Sequence, residues 1–235
     1  MPSAPLPTPT VAATFLAQKR GGGLFTESVS QRTGAYLALA AYRLRWSPSA
    51  VTLAALAIGV GASVALVLLA PRTAAGTVPA LVTGLAVGLA WQLAYALDCA
   101  DGQLARTTGR ASANGARLDI LCDVAVQISV VAAISAVAAV HAPLPPAWLY
   151  ATFAGTWMVN LVTSVLANGP AAASLVRSRS LVVRLAKLSR DYAAVIAACA
   201  LVIALAPGWT IWLMVLLSVL NGLFLLASVG QASLH

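Results

Sequence analysis

Residues 78–99 read VPALVTGLAVGLAWQLAYALDC, an apolar stretch with a single charged residue, Asp98, close to its end. About 20 apolar residues are enough to cross a bilayer as an α-helix, and the same pattern recurs along the chain. We place the spans at roughly 50–70, 78–99, 117–140, 146–168, 191–206 and 209–228. The sequence therefore predicts an all-α integral membrane protein with six transmembrane helices.

The composition supports a membrane protein and excludes an ordinary soluble domain. Of the 235 residues, 60% are hydrophobic and 9% are charged, and the mean hydropathy is +0.90. A soluble domain of this length could not bury so much apolar surface. The net charge of +8 could indicate nucleic acid, but the basic residues flank predicted spans and no nucleic-acid fold signature accompanies them. We therefore expect membrane lipids and phosphorylated substrates, and no nucleic acid, as partners.

Two segments precede the six-span domain, which covers residues 47–235. Residues 1–22 contain early prolines, a basic pair and a glycine run, and are predicted to form a flexible cytoplasmic tail. Residues 23–46 are predicted to form an amphipathic juxtamembrane helix along the membrane surface. Its apolar residues recur at helical spacing: Phe25, Val29, Tyr36, Leu37, Ala40 and Leu44.

The basic residues predict the orientation. With the tail in the cytoplasm, all fourteen except Arg72 fall on the cytoplasmic side, which is a strong positive-inside pattern. Both termini and the connection between the second and third spans are then cytoplasmic. We expect a multi-pass protein of the cell membrane.

Four of the six acidic residues lie close together, as Asp98, Asp101, Asp119 and Asp123. Each pair is three or four residues apart, so its side chains share one helical face about 5–6 Å apart. Two adjacent helices can therefore direct four carboxylates to one point. Like charges 4 Å apart repel by about 4 kcal/mol even at an effective dielectric near 20, which a divalent cation relieves. Oxygen ligands favour magnesium, manganese or calcium.

Three residues between the acidic pairs suit an anionic phosphate ester. Gly102 allows a ligand close to the backbone, and Arg106 lies one helical turn beyond it. A guanidinium beside bound metal suits a diphosphate. Gly115, four residues before Asp119, would let a ligand approach the backbone of the facing helix in the same way.

Residues 97–124, LDCADGQLARTTGRASANGARLDILCDV, resemble the signature of the CDP-alcohol phosphotransferase (CDP-alcohol phosphatidyltransferase) family, Asp-x2-Asp-Gly-x2-Ala-Arg-x8-Gly-x3-Asp-x3-Asp. All of its fixed positions are present. They are Asp98, Asp101, Gly102, Ala105, Arg106, Gly115, Asp119 and Asp123. The family often has Pro-Asn-x-x-Thr at the start of the first span. Here Pro48 and Thr52 remain, and Ser49 replaces the asparagine.

The resemblance implies a reaction and a set of roles. An acceptor hydroxyl attacks the phosphorus of a CDP-linked alcohol, CMP leaves, and a phospholipid forms. The resemblance implies that Asp98, Asp101 and Asp119 hold metal, and that Asp123 joins a second ion and is the catalytic general base. Two ions, Mg²⁺ or Mn²⁺, are implied as cofactors. Gly102, Arg106, Gly115 and Thr52 are the expected substrate-binding residues.

The partners implied are a CDP-alcohol lipid donor, a small hydroxyl acceptor and a second copy of the chain in a homodimer. Basic residues at 177–190 would suit a phosphorylated acceptor such as inositol phosphate or glycerol phosphate, although we favour the simpler interpretation that they enforce topology and contact lipid head groups. Asp191 would pair with Arg190 or Lys187. Gly84 and Gly88 form a GxxxG pattern, for which we favour close helix packing over a dimer interface.

Two alternatives remain open. A divalent-cation transporter would explain the aspartates, but it leaves Gly102, Arg106 and Gly115 unexplained, and the arginine would repel the cargo. A non-catalytic CDP-lipid-binding membrane protein is the other alternative, and the intact Asp123 counts against it.

Overall fold

The computed structural model describes residues 11–19, 23–142, 145–167 and 191–233. Within these residues, every regular element is helical. A short helix α1 (Ala12–Leu16) is followed by a π-helical turn (Thr26–Ser30) that continues into α2 (Gln31–Arg43). The remaining helices are α3 (Pro48–Ala74), α4 (Ala80–Thr107), α5 (Ala113–His141), α6 (Ala147–Ala167), α7 (Tyr192–Leu205) and α8 (Thr210–Ala232), with a 3-10 turn (Pro207–Trp209) before α8.

Among the described residues, four helical segments are long and apolar enough to cross a membrane: α3, α4, α5 and Pro207–Gly230. The chain is thus a multi-pass membrane protein, and four of the six predicted spans coincide with candidate membrane helices. The fourth and fifth predicted spans correspond to α6, with 21 residues, and α7, with 14 residues. At 1.5 Å per residue, α7 is about 21 Å long, shorter than a hydrocarbon core of about 30 Å. The count of six therefore stays a prediction.

Two serine caps set where the helices around the acidic residues begin. Ser47 Oγ accepts a hydrogen bond of 3.2 Å from the amide of Ala50 at the start of α3, where Pro48 is the first helical residue. Ser112 Oγ accepts one of 3.1 Å from the amide of Gly115 at the start of α5. Such caps satisfy amides that have no partner within the helix.

Helix α3 packs against both α4 and α5, and α4 also packs against α2 and α7. Helices α4 and α5 make few close contacts with each other among the described residues. Polar side chains join all three helices inside the bundle, because Trp91 Nε1 donates to Ser63 Oγ at 3.0 Å and Ser129 Oγ lies 3.1 Å from that oxygen. The acidic ends of α4 and α5 thus face each other across a gap beside α3.

The GxxxG pattern of α4 is used inside the chain. A Cβ on Gly84 would lie 2.5 Å from the backbone nitrogen of Ala204 in α7, and one on Gly88 would lie 2.5 Å from the Cβ of Ala200. The interpretation as close helix packing is confirmed. The homodimer remains a prediction.

We expect Gly84→Ala to lower the midpoint of thermal unfolding of the detergent-solubilised protein. The added methyl group would force α4 and α7 apart, and overpacking of this kind costs about 1–3 kcal/mol. Gly61→Ala in α3 is the matched control, because a Cβ there meets nothing within 4 Å and alanine is the better helix former. Equal midpoints for the two variants would contradict the close contact.

The predicted tail contains a packed element. Phe15 of α1 is fully buried, and its ring centroid lies 6.0 Å from that of Tyr42 in α2. Since α1 packs on α2 and α4, the expectation of a flexible tail does not hold for Ala12–Leu16. The buried aromatic ring explains the difference. Residues 1–10 and 20–22 lie outside the described residues.

Helix α2 contacts the bundle through small residues. Gly34, Ala35, Ala38 and Ala41 are buried, and a Cβ on Gly34 would lie 2.9 Å from the carbonyl oxygen of Ala96 in α4. The predicted apolar stripe is divided: Leu37 packs against the buried cluster, whereas other members face outwards. Three of its members, Val29, Tyr36 and Leu44, are 43%, 69% and 66% exposed. Contact of that stripe with a membrane surface stays a prediction.

Candidate active site

The four aspartates lie where α4 ends and α5 begins. Asp98 and Asp101 are in the last turns of α4, and Asp119 and Asp123 are in the first turns of α5. One carboxylate oxygen from each of Asp98, Asp101 and Asp119 lies within 4.8 Å of the other two. The structure thus brings three of the four predicted metal residues together, and the carboxyl group of Asp123, although outside that group, interacts directly with Asp98.

These three carboxylates suit a hard divalent cation. Asp101 is 4% exposed, and Oδ1 of Asp119 is buried without a hydrogen-bond partner among the described residues. Carboxylates in such a setting are stable only when something compensates their charge. Oxygen ligands alone favour Mg²⁺, Mn²⁺ or Ca²⁺. An ion held by Asp98, Asp101 and Asp119 would therefore satisfy both the charge and the orphan oxygen.

Thr52 orients one of these carboxylates. Its hydroxyl donates to Oδ2 of Asp101 and also bonds the carbonyl oxygen of Pro48 at 3.1 Å. Groups that hold a metal-binding side chain in place often matter nearly as much as the ligand itself. Thr52 was predicted to bind substrate, and the structure places it against Asp101.

A polar cavity of about 130 Å³ lies on one side of the carboxylates. Its lining includes Asp101, Asp119 and the three residues predicted to border the nucleotide, Gly102, Arg106 and Gly115. A Cβ on Gly102 would lie 2.9 Å from Nη1 of Arg106, so the guanidinium would have to move if a side chain were added here. We call this space the polar cavity.

The tail segment also contacts Arg106. Its Nε donates to the carbonyl oxygen of Gln18, just after α1, at 2.8 Å, and its charge interacts with Asp119. The guanidinium is therefore held beside the carboxylates from two directions. A cation in this position can bind the phosphates of an anionic ligand.

A second cavity, of about 20 Å³, lies on the other side; it is mostly apolar and has room for about one water molecule. Asp98 and Asp123 line it together with three aromatic residues, Trp91, Tyr95 and Tyr192. We call this space the aromatic cavity. Sequence reasoning missed these aromatic residues. Only Tyr95 carried a signal, because it precedes Asp98 by one helical turn and so shares its face.

The acidic cluster therefore separates two spaces of different character, one polar and basic, the other aromatic. Thr52 lines both. The basic segment 177–190, predicted to bind an acceptor or to enforce topology, lies outside the described residues. The arrangement can hold a charged diphosphate on the polar side, between Arg106 and a metal ion at the carboxylates.

The sequence profile of the CDP-alcohol phosphatidyltransferase family matches residues 45–223, which is more than half of the chain. The chain belongs to this family. The resemblance found from the signature is thereby confirmed. Membership supports a membrane-bound transferase of phospholipid biosynthesis that uses a CDP-alcohol donor and an alcohol acceptor. A comparison with curated protein sequences gives no significant match.

Proposed function

We propose that this chain catalyses a metal-dependent transfer of a phosphatidyl group from a CDP-linked lipid to a small alcohol, releasing CMP. The cofactor is Mg²⁺ or Mn²⁺, as two ions, and the site faces the cytoplasm from the cell membrane. The observation that carries the proposal is the gathering of carboxylate oxygens from Asp98, Asp101 and Asp119 within 4.8 Å, between the polar and the aromatic cavities.

The donor occupies the polar cavity in this proposal. Arg106 pairs with the diphosphate, and Gly102 and Gly115 let the nucleotide approach the two helices closely. Asp98, Asp101 and Asp119 hold the first ion, with Asp101 oriented by Thr52, and Asp123 contributes to the second. Divalent ions bound there would neutralise the diphosphate and stabilise the CMP leaving group.

The acceptor hydroxyl approaches Asp123, whose carboxylate lies between the acidic cluster and the aromatic cavity. The acceptor oxygen bonds to the phosphorus that carries the lipid alcohol, and the bond from that phosphorus to the CMP oxygen breaks. Asp123 accepts the proton of the acceptor hydroxyl as general base. Inositol phosphate and glycerol phosphate are the acceptors that we favour, because of the basic residues at 177–190.

Release of CMP by the purified protein tests this proposal. CDP-diacylglycerol is offered with Mg²⁺ or Mn²⁺ and, in separate reactions, with inositol phosphate, glycerol phosphate, serine or inositol. CDP-choline and CDP-ethanolamine with diacylglycerol are included, because the family signature is shared by enzymes that use either kind of donor. We expect CMP in at least one reaction, and none after chelation of the metal.

Two outcomes would count against the proposal. Absence of CMP under all conditions, with the protein folded and binding CDP-diacylglycerol, would indicate a non-catalytic lipid-binding protein. Metal flux into vesicles without CMP formation would indicate a divalent-cation transporter.

A further inference from the structure

A buried carboxylate outside the acidic cluster joins two distant parts of the chain. Asp191, the residue before α7, is 2% exposed. Its Oδ2 accepts hydrogen bonds from the amides of Phe25 at 2.8 Å and Thr26 at 2.9 Å, and its Oδ1 accepts one from the hydroxyl of Thr26 at 2.5 Å. The partners predicted for Asp191, Arg190 and Lys187, lie outside the described residues.

The amides of Phe25 and Thr26 belong to the first turn of the helix that continues into α2. Such amides have no acceptor within their own helix, and the positive end of the helix favours a negative group there. Asp191 supplies that group from another helix, and in return three hydrogen bonds satisfy its buried oxygens. Gly23 permits the approach, since a Cβ there would lie 2.3 Å from Oδ2 of Asp191.

The same contact reaches the aromatic cavity. The hydroxyl of Thr26 lies 3.4 Å from the hydroxyl of Tyr95, and the ring of Tyr192, the residue after Asp191, packs edge-on against Tyr95 with centroids 5.1 Å apart. Gln92 Nε2 also donates to the carbonyl oxygen of Ala193 at 2.7 Å, which fixes the start of α7 on α4. Tyr95 and Tyr192 both line the cavity that Asp98 and Asp123 share.

We propose that Asp191 is a positioning residue that, through Thr26, fixes Tyr95 and Tyr192 beside Asp98 and Asp123 and so holds the acceptor side of the active site in place. The inference rests on the proposed function, because it takes Asp123 as the group that receives the proton of the acceptor hydroxyl. Asp191 itself lines neither the polar nor the aromatic cavity. It acts by holding the start of the juxtamembrane helix, the start of α7 and the middle of α4 in one arrangement.

Thr26→Val and Thr26→Ser form the matched pair that tests the inference. Valine keeps the shape of the buried threonine and removes the hydroxyl that bonds Asp191 and Tyr95, whereas serine restores it. Thr210→Val is the control. It removes an equally buried hydroxyl at the start of α8, where Thr210 bonds the carbonyl oxygen of Pro207 at 2.7 Å. Asp191→Asn tests the carboxylate itself.

Three quantities are measured for each variant: hydrogen exchange of a peptide containing Phe25 and Thr26, the kinetics of CMP release with the acceptor that reacts fastest, and Mn²⁺ affinity. In Thr26→Val and Asp191→Asn we expect faster exchange. We also expect a rise of about tenfold or more in the acceptor KM, or a matching fall in kcat, because small misplacements of a reactant are costly. Mn²⁺ affinity and the KM of the CDP donor should stay within about twofold of the wild type. Thr26→Ser and Thr210→Val should behave as the wild type.

The outcomes separate this inference from the proposed function. A wild-type protein that releases no CMP would overturn the proposed function and the inference with it. An active wild type whose Thr26→Val and Asp191→Asn variants keep the wild-type acceptor KM and kcat would overturn the inference alone. Parallel loss of Mn²⁺ affinity and donor binding in these variants would also overturn it, since Asp191 would then act on overall stability.

Discussion

Replacing Asp98, Asp101 or Asp119 by asparagine is expected to abolish most metal-supported CMP release. Asparagine keeps the size of the side chain but removes the negative charge, so the remaining pair of carboxylates holds a divalent ion far less tightly. Groups that only orient a metal ligand are already worth about 10- to 100-fold, so loss of a ligand should cost at least about 100-fold. The measurement is the initial rate of CMP release against Mn²⁺ concentration.

Cys99→Ala is the control for these variants. Cys99 is buried beside the site and next to Asp98 in sequence, but a Cβ on Gly34 of α2 would lie 3.0 Å from its own Cβ, so it packs towards α2. This variant should keep most of the activity. Full activity in all three asparagine variants would refute the assignment of the metal.

Asp123→Asn is expected to separate chemistry from binding of the first ion. Asp123 is outside the group of three carboxylates within 4.8 Å and lines the aromatic cavity. Loss of a general base lowers turnover by about 10²- to 10⁴-fold. We expect kcat to fall within that range. The Mn²⁺ stoichiometry, measured by calorimetric titration in the presence of the CDP donor, should fall from two ions to one.

The same titration gives the results that would contradict this role. Wild-type kcat in Asp123→Asn would show that another group takes the proton. A loss of the first ion as complete as in Asp98→Asn would place Asp123 among its ligands instead. Glu27→Gln is a useful reference here, because this substitution removes an acidic group that lies away from the site. Glu27 pairs with Lys19 at 2.9 Å on the surface.

The transmembrane pattern and the acidic pairs could be predicted from the sequence because both are local. Helices α3 to α8 begin and end within about four residues of the six predicted spans, except that α4 continues to Thr107. The continuation of α4 carries Asp101, Gly102 and Arg106. A membrane span predicted from hydropathy ends where these charged residues begin, although the backbone of α4 stays helical beyond them.

The Asp191 contact could not be predicted, because its partners are 165 and 166 residues away in sequence. An acidic residue next to basic neighbours suggests a local ion pair. The spacing of residues along the sequence gives no sign that its partner is the start of a distant helix. The packed face of α2 was missed for a related reason. Its small residues, such as Gly34 and Ala38, give a weak apolar signal, while the large residues that dominate the pattern, such as Tyr36, are exposed.

The contacts between α4 and α5 also differ from the simplest expectation. Asp98 and Asp101 of α4 meet Asp119 of α5 as expected, but the two helix backbones stay apart and α3 packs against both. This spacing leaves room for the polar and the aromatic cavities on either side of the acidic cluster. Such a gap depends on the packing of three helices and leaves no trace in the spacing of residues along one of them.

Pulsed electron paramagnetic resonance of Mn²⁺ bound to the purified protein tests the central claim most directly. On addition of CDP-diacylglycerol, the Mn²⁺ signal should acquire a hyperfine coupling to phosphorus in the wild type, and Asp101→Asn should lose both the bound ion and the coupling. Mn²⁺ that binds to the aspartates but shows no phosphorus coupling with the donor present would contradict a site that holds metal and diphosphate together.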